Sequence, residues 1–240
     1  MTGLTSGLVA INEFNSNPAY NQAMGNPGLT RFRRSARIVV EPGEEKYGRH
    51  GDLKPENILW SNELEGAGPS GILQIADFGL GRFHRFESKS RVDPKTIVGS
   101  ATYIPPEISL EKQVSRAYDI WSLGCVYLEF ATWLLEGSAG LEEFTKRRSE
   151  IAPDKVIDDT FYSLVTEGAV VRRGVRDWIE HLRSSPRCSN MICDLLKLLQ
   201  DGLLVVDSGS RIKAEDLYTE LKRMLQKSKD STEYLIKKDK

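Results

Sequence analysis

The sequence predicts an α+β fold that is mainly helical, and two observations carry that expectation. Ile58-Leu59-Trp60 and Ile72-Leu73-Gln74-Ile75 are short apolar runs on either side of the turn-rich stretch Glu65-Gly66-Ala67-Gly68-Pro69-Ser70-Gly71, which is the pattern of two paired strands. From about residue 105 onward the apolar residues recur instead at helical spacing. Strands first and helices afterwards is the α+β order.

The elements follow from the N-terminus. Residues 1–49 are rich in Asn, Gly and Pro and read as weakly ordered, with at most a strand or a short helix. Gly3 to Asn12 reads as a weakly structured turn. A basic cluster, Arg31, Arg33, Arg34 and Arg37, reads as solvated and leads into the β-like run Ile38-Val39-Val40, which Pro42 and Gly43 end. The paired strands come next. Tyr118 to Trp133 is apolar on most faces and predicts a helix buried on all sides. Met191, Ile192, Leu195, Leu196, Leu198 and Leu199 form an apolar stripe at helical spacing. A last helix runs from Ala214 through Leu217, Leu221 and Leu225 into a Lys-rich tail. Residues 221–240 hold seven Lys or Arg against three acidic residues, the signature of a solvated end. The expected division is therefore a weakly ordered segment 1–49, a domain 50–227 and a basic tail 228–240.

Composition excludes several functions. The 240 residues are 40% hydrophobic and 28% charged, with 33 Lys and Arg against 34 Asp and Glu, so the formal net charge is −1. That balance is globular, and it argues against a protein whose whole surface grips nucleic acid. The longest apolar stretch, Leu123 to Leu135, is 13 residues and contains Glu129, short of the roughly 20 needed to span a bilayer. No charged start followed by an apolar core marks a signal peptide. Neither a nucleic-acid partner nor a membrane is expected, and oligomeric state is not readable. Cys125, Cys188 and Cys193 cannot all pair with one another and make no metal-ligand pattern with the three histidines. Reduced thiols fit a cytoplasmic or nuclear protein, with Cys188 and Cys193 buried or idle.

Chemistry concentrates in five segments that come in a fixed order. They are His50-Gly51-Asp52-Leu53-Lys54-Pro55-Glu56-Asn57-Ile58-Leu59; Asp77-Phe78-Gly79, 25 residues after Asp52; Gly99 to Glu107; Asp119-Ile120-Trp121-Ser122-Leu123-Gly124; and Asp207-Ser208-Gly209-Ser210-Arg211-Ile212. The first two resemble the catalytic loop H-x-D-L-K-P-x-N and the D-F-G turn of eukaryotic protein kinases. The third looks like the end of that family's activation segment, with Pro105 where the A-P-E pattern has Ala. The fourth looks like the start of the buried central helix, and Arg211 sits where the family's late arginine falls. Over roughly residues 48–225 the chain resembles the large C-terminal lobe of a kinase, with short β-hairpins carrying the catalytic loop and the D-F-G turn. Lys54 and Pro55 resemble the serine/threonine branch.

The resemblance implies a site. Phosphoryl transfer passes through a loose transition state, so the protein's task is positioning and charge neutralisation. Asp52 would accept or orient the proton of the attacking hydroxyl, and Lys54 would place a point charge beside the transferring group. Asn57 and Asp77 would give Mg²⁺ the oxygen ligands a hard cation prefers, so that Lys54, Asn57 and Asp77 together hold ATP. Ser100 would supply the hydroxyl that bonds Asp52 and Lys54. ATP and Mg²⁺ are the implied cofactors, and a protein carrying Ser or Thr is the implied substrate. Glu107 and Arg211 would form a buried ion pair and Asp119 would hold the catalytic-loop backbone. Trp121, Leu123, Val126, Tyr127 and Phe130 would be core.

Two departures from the family pattern carry expectations. Gly51 stands where many members have Arg, whose charge normally needs a phosphorylated activation segment. Thr96, placed like the usual activation site, then has one cation fewer around it. Thr96→Ala is expected to leave any phosphotransfer nearly unchanged, and a large loss in a kinase assay of that variant overturns the point. Second, 49 residues before His50 are too few for a small lobe with its glycine loop, strand lysine and paired glutamate. Positioning is worth about 7–11 kcal/mol of a barrier, and general-base catalysis about 3–5 kcal/mol. Two readings stay open: a serine/threonine kinase, truncated as given, and a non-catalytic kinase-like binding module.

Overall fold

The computed structural model describes residues 1–12, 46–62, 71–77, 82–85, 101–112, 114–151 and 157–236. The expected strand Ile38-Val39-Val40 and the cluster Arg31 to Arg37 lie outside the described residues.

The first element corrects the reading of Gly3 to Asn12 as a weakly structured turn. Thr2–Asn12 is a helix, α1, with Leu4, Leu8 and Ile11 buried at i, i+4 and i+7. Thr2, Gly3, Thr5 and Gly7 are poor helix formers, so packing rather than propensity holds it. Gly3 faces the second strand of the hairpin below: a Cβ there would lie 3.0 Å from the Leu73 carbonyl. The missing side chain is what lets the two backbones approach. Thr5 Oγ1 and Tyr127 Oη share a buried hydrogen bond of 2.6 Å, and Asn12 Nδ2 donates to the Gly48 carbonyl at 3.1 Å. α1 is thus tied both to the core and to the strand that enters the catalytic loop.

That strand, β1 (Lys46–Arg49), pairs antiparallel with β4 (Arg82–Arg85). The expected hairpin forms as β2 (Ile58–Ser61) and β3 (Ile72–Ile75), with Ile58 opposite Ile75 and Ser61 opposite Ile72. After the short helix α2 (Pro106–Ser109) comes α3 (Ala117–Arg148), two helical stretches joined across Gly137, whose φ of 69° only glycine adopts readily. Tyr118 through Leu128 are buried without interruption, including Trp121, Leu123, Val126 and Tyr127, while Phe130 is partly buried against them. The burial does not reach the end of the expected span. Trp133 and Leu134 are 61% and 62% exposed, because the core lies to one side of the helix by then. Among the described residues no helix is long and apolar enough to cross a membrane.

Two hairpins that the sequence reading did not place follow α3: β5 (Glu150–Ile151) with β6 (Ile157–Asp158), and β7 (Tyr162–Val165) with β8 (Gly168–Val171). Helices α4 (Arg173–Ser184), α5 (Asn190–Leu198) and α6 (Ala214–Asp230) complete the core, with a π-turn over Leu199–Leu203 after α5. The α4 face Val175, Trp178, Ile179 and Leu182 is buried, and Trp178 stacks on Phe144 with ring centroids 5.5 Å apart. In α6 the buried positions are Ala214, Leu217, Leu221 and Met224, which leaves Leu225 outside.

The basic tail expected from residue 228 begins inside ordered structure. α6 runs to Asp230 and a 3₁₀ turn covers Thr232–Leu235. Tyr234 is buried, donates its hydroxyl to Asp194 Oδ2 at 2.7 Å, and carries the Lys227 ammonium 3.9 Å above its ring. A charge tally averages over such a single aromatic anchor, and so the order here was hidden.

Candidate active site

The residues expected to form the catalytic loop sit in the turn that leaves β1, and a residue of the core helix fixes that turn. His50 N and Gly51 N donate to the two oxygens of Asp119, at 2.7 and 2.9 Å. Asp119 lies in the first turn of α3 and is fully buried. Burial pushes its carboxyl up from the ordinary value, while the N–H groups of Gly51 and His50 work against that push. Gly51 has φ 83°, a left-handed conformation that a Cβ disfavours. Gly51→Ala is therefore expected to lower stability by about 1–2 kcal/mol, measured by urea unfolding. A variant as stable as the parent would mean that the turn relaxes at no cost.

The ring of His50 joins the two halves of the site. Its Nδ1 accepts from Asp52 N at 3.3 Å, and its Nε2 lies 2.9 Å from the Ala76 carbonyl, the residue before Asp77. Both contacts fit the tautomer with the proton on Nε2. Ala76 N in turn donates to the Asn57 carbonyl at 2.8 Å. The catalytic loop and the turn at Asp77 are thus stitched twice within a few residues.

Within the loop, Pro55–Asn57 is one turn of 3₁₀ helix started by a proline, whose fixed φ suits that position. The turn brings Asn57 back over Asp52. Asn57 Nδ2 donates to the Asp52 carbonyl oxygen at 2.8 Å and to Asp52 Oδ2 at 3.1 Å. Lys54 Nζ lies 2.9 Å from the same Oδ2, and side-chain exposures of 24% and 12% place the pair at a mouth rather than in the core. The Asp52 carboxylate holds the Lys54 ammonium above its usual pKa. Asp77 is exposed, with φ 58°. A non-glycine residue held in that conformation is strained, and such strain gathers at functional sites. Asp52, Lys54 and Asn57 are in direct contact, and Asp77 joins them through Ala76 and His50. Ser100, Phe78, Gly79 and Thr96 lie outside the described residues.

The donor set suits a hard cation. Asn57 Nδ2 is committed to Asp52, which turns its Oδ1 to the other side, where it meets no donor among the described residues. That oxygen and the Asp77 carboxylate are the ligand types Mg²⁺ takes, and the ion characteristically fills its other positions with water and phosphate oxygens.

The stretch Ala101–Tyr103, expected to end an activation segment, is held by residues that sequence reasoning missed. Tyr103 donates to Glu129 Oε2 at 2.9 Å, Arg148 donates to Glu129 Oε1 at 3.1 Å, and Thr102 donates to Asp159 at 2.8 Å. Burial pushes the Glu129 carboxyl up, against the pull of Arg148 and the Tyr103 hydroxyl. Arg172 is also buried and donates to the Arg148 and Asp158 carbonyls, both at 2.7 Å, and to Asp158 Oδ2 at 2.9 Å. The hairpins β5–β8 hang on these two arginines. A hairpin signal was present: the two residues Thr166-Glu167 lie between apolar runs, and Gly168 follows at φ 130°. The arginines left none, because charged residues at a helix end read as surface.

The expected Glu107–Arg211 pair is formed. The two side chains meet fork to fork, with Nη1 to Oε1 and Nη2 to Oε2 both at 2.7 Å, and both are buried.

Comparison with known proteins agrees with this arrangement. The family model described as "Protein kinase domain" matches residues 46–220. Human 3-phosphoinositide-dependent protein kinase 1 is 37% identical over 126 residues, which are 51% of this chain and 21% of that protein. Cyclin-dependent kinase 2 of Caenorhabditis elegans is 44% identical over 84 residues, 35% of this chain and 20% of its own length. Serine/threonine-protein kinase ATG1a of Arabidopsis thaliana is 28% identical over 165 residues, 63% of this chain and 25% of that protein. The chain spans about a fifth to a third of the length of such curated relatives. With the family model covering well over half of the sequence, and the loop, the central-helix aspartate and the buried ion pair in place, this chain belongs to the protein kinase domain family.

Proposed function

We propose that the chain carries the catalytic loop of a serine/threonine protein kinase, which transfers the γ-phosphoryl group of ATP to Ser or Thr hydroxyls of a protein. The observation that supports this most is the contact set of Asp52, with Lys54 at 2.9 Å and Asn57 at 3.1 Å on one carboxylate oxygen. Two donors on Oδ2 fix the carboxylate plane, so Asp52 is oriented before a hydroxyl arrives, as a general base must be. Lys54 is a compact point charge at the mouth of the site, placed to meet the negative charge of a transferring phosphoryl group. Mg²⁺, held by Asn57 Oδ1 and the Asp77 carboxylate, would neutralise phosphate charge. Lys54 and Pro55, the serine/threonine-type residues of the loop, and the printed name of the Arabidopsis relative support Ser/Thr over Tyr as acceptor.

The test uses the purified chain with Mg·ATP and a generic basic protein substrate. Expected results are a nucleotide-dependent rise in melting temperature and phosphate transfer above an Asp52→Asn control. If neither appears, the second reading, a non-catalytic kinase-like binding module, replaces this one.

A further inference from the structure

The three cysteines are not equivalent. Cys125 is fully buried in α3, and burial pushes its thiol well up, away from reactivity. Cys188 and Cys193 are elsewhere, and their sulfurs are 3.2 Å apart. Cys188 is fully buried at the end of the turn after α4, its N–H bonded to the Ser185 carbonyl at 3.1 Å. Cys193 is half-buried in the first turns of α5, its N–H bonded to the Ser189 carbonyl at 2.9 Å. Backbone hydrogen bonds therefore hold both residues so that the two sulfurs meet, one in a fully buried residue and one in a half-buried residue.

We propose that Cys188 and Cys193 form a modification site, a dithiol that oxidants of the peroxide class close to an intramolecular disulfide. The sequence reading leaves these residues as buried or idle thiols, because a five-residue separation says nothing about where two side chains point. The structure supplies that direction. A bridge needs sulfurs about 2.05 Å apart, so the present contact must shorten by roughly 1.2 Å.

The chemistry has two balanced steps. The half-buried Cys193, as thiolate, attacks a peroxide oxygen; the O–O bond breaks, sulfur loses two electrons to it, and a sulfenic acid forms with hydroxide (or an alkoxide, from an organic peroxide) as leaving group, which takes up the proton that Cys193 released on ionising and departs as water or an alcohol. The Cys188 sulfur then attacks the sulfenic sulfur, expelling hydroxide, which takes the Cys188 proton and leaves as water. The S–S bond is formed, and a dithiol reductant reverses it by exchange. The bridge would pin the start of α5, where Asn190 Nδ2 donates to the Glu233 and Ile236 carbonyls and Asp194 accepts from Tyr234.

The experiment is hydrogen peroxide treatment of the purified full chain, followed by intact mass and non-reducing peptide mapping. Expected are a loss of two hydrogen atoms, one tryptic peptide (188–197) that carries an internal bridge between Cys188 and Cys193, Cys125 still reduced, and full reversal by dithiothreitol. Cys188→Ser should yield no bridge and a dimedone-trappable sulfenic acid at Cys193. Cys193→Ser should yield no bridge and at least a tenfold slower loss of thiol. Addition of oxygen to Cys193 without a bridge in the parent, a bridge between chains, or a bridge that uses Cys125 would each overturn the proposal. The parent's peptide map decides even if a serine variant fails to fold.

Discussion

Arg211→Ala is expected to destabilise the chain by about 3–5 kcal/mol, the usual result of removing one partner from a buried ion pair. The geometry explains the size. All five guanidinium N–H directions are used: two on the Glu107 carboxylate, and one each on the carbonyls of Val205, Ala117 and Val206, at 2.7, 2.9 and 3.2 Å. The guanidinium also lies 5.1 Å over the Trp121 ring. One truncation thus strands a carboxylate in the core and orphans three carbonyls that join the α2 region, the start of α3 and the loop after the π-turn. For a chain of this size such a loss lowers the melting temperature by roughly 6–20 °C. The double variant Glu107→Met with Arg211→Leu tests the cause. It removes the stranded charge and leaves only the carbonyls unpaired, so it should melt above Arg211→Ala. Should Arg211→Ala melt within a degree of the parent, the pair does not hold these elements together.

What could be read from the sequence follows from how far each signal is local. The β2–β3 hairpin announced itself through two apolar runs and a turn, and the Asp119 and Arg211 roles through motifs whose spacing a resemblance could supply. Helix α1 did not. Its apolar residues Leu4, Leu8 and Ile11 do have helical spacing, but Gly3, Gly7 and two threonines argue against a helix until β3 is seen lying on the glycine face. Arg148 and Arg172 were invisible for a related reason. Each is buried only because several acceptors converge on it from α3, β6 and the segment around Asp159, and convergence is a property of the fold and not of a window. The same holds for Cys188 and Cys193, whose meeting depends on one turn. At the site itself, Asp52, Lys54, Asn57 and Asp77 were named in advance, whereas the stitching through His50, Ala76 and Asn57 was not, since the partners that the His50 ring and Asn57 meet there are backbone atoms of Asp52 and Ala76, which every residue has.

Asp119→Ala carries the second large effect, and it connects stability to the site. The variant leaves His50 N and Gly51 N, both buried, without the acceptor they share. An orphaned buried amide costs about 1–3 kcal/mol, so the pair together should cost about 2–6 kcal/mol. The loss is local in its consequence, because these two amides set the direction in which the chain enters Asp52. Native-state hydrogen exchange separates that from general softening. The His50 and Gly51 amides should lose protection by at least tenfold more than the amides of Trp121 to Leu128 in the core of α3. Asp119→Asn should fall between parent and Ala: its amide keeps one acceptor oxygen but turns an NH₂ group toward the other N–H donor, so one bond survives and one becomes a clash. If phosphotransfer is measurable in the parent, its rate should fall in the same order, parent, Asn, Ala, with nucleotide binding reduced less than turnover. The Lys54–Asp52–Asn57 contacts are internal to the loop and can travel with it, whereas its distance from an acceptor hydroxyl depends on where Asp119 anchors it. Equal exchange protection in Asp119→Asn and the parent would show that one oxygen suffices, and that the bidentate hold on the loop is not what positions Asp52.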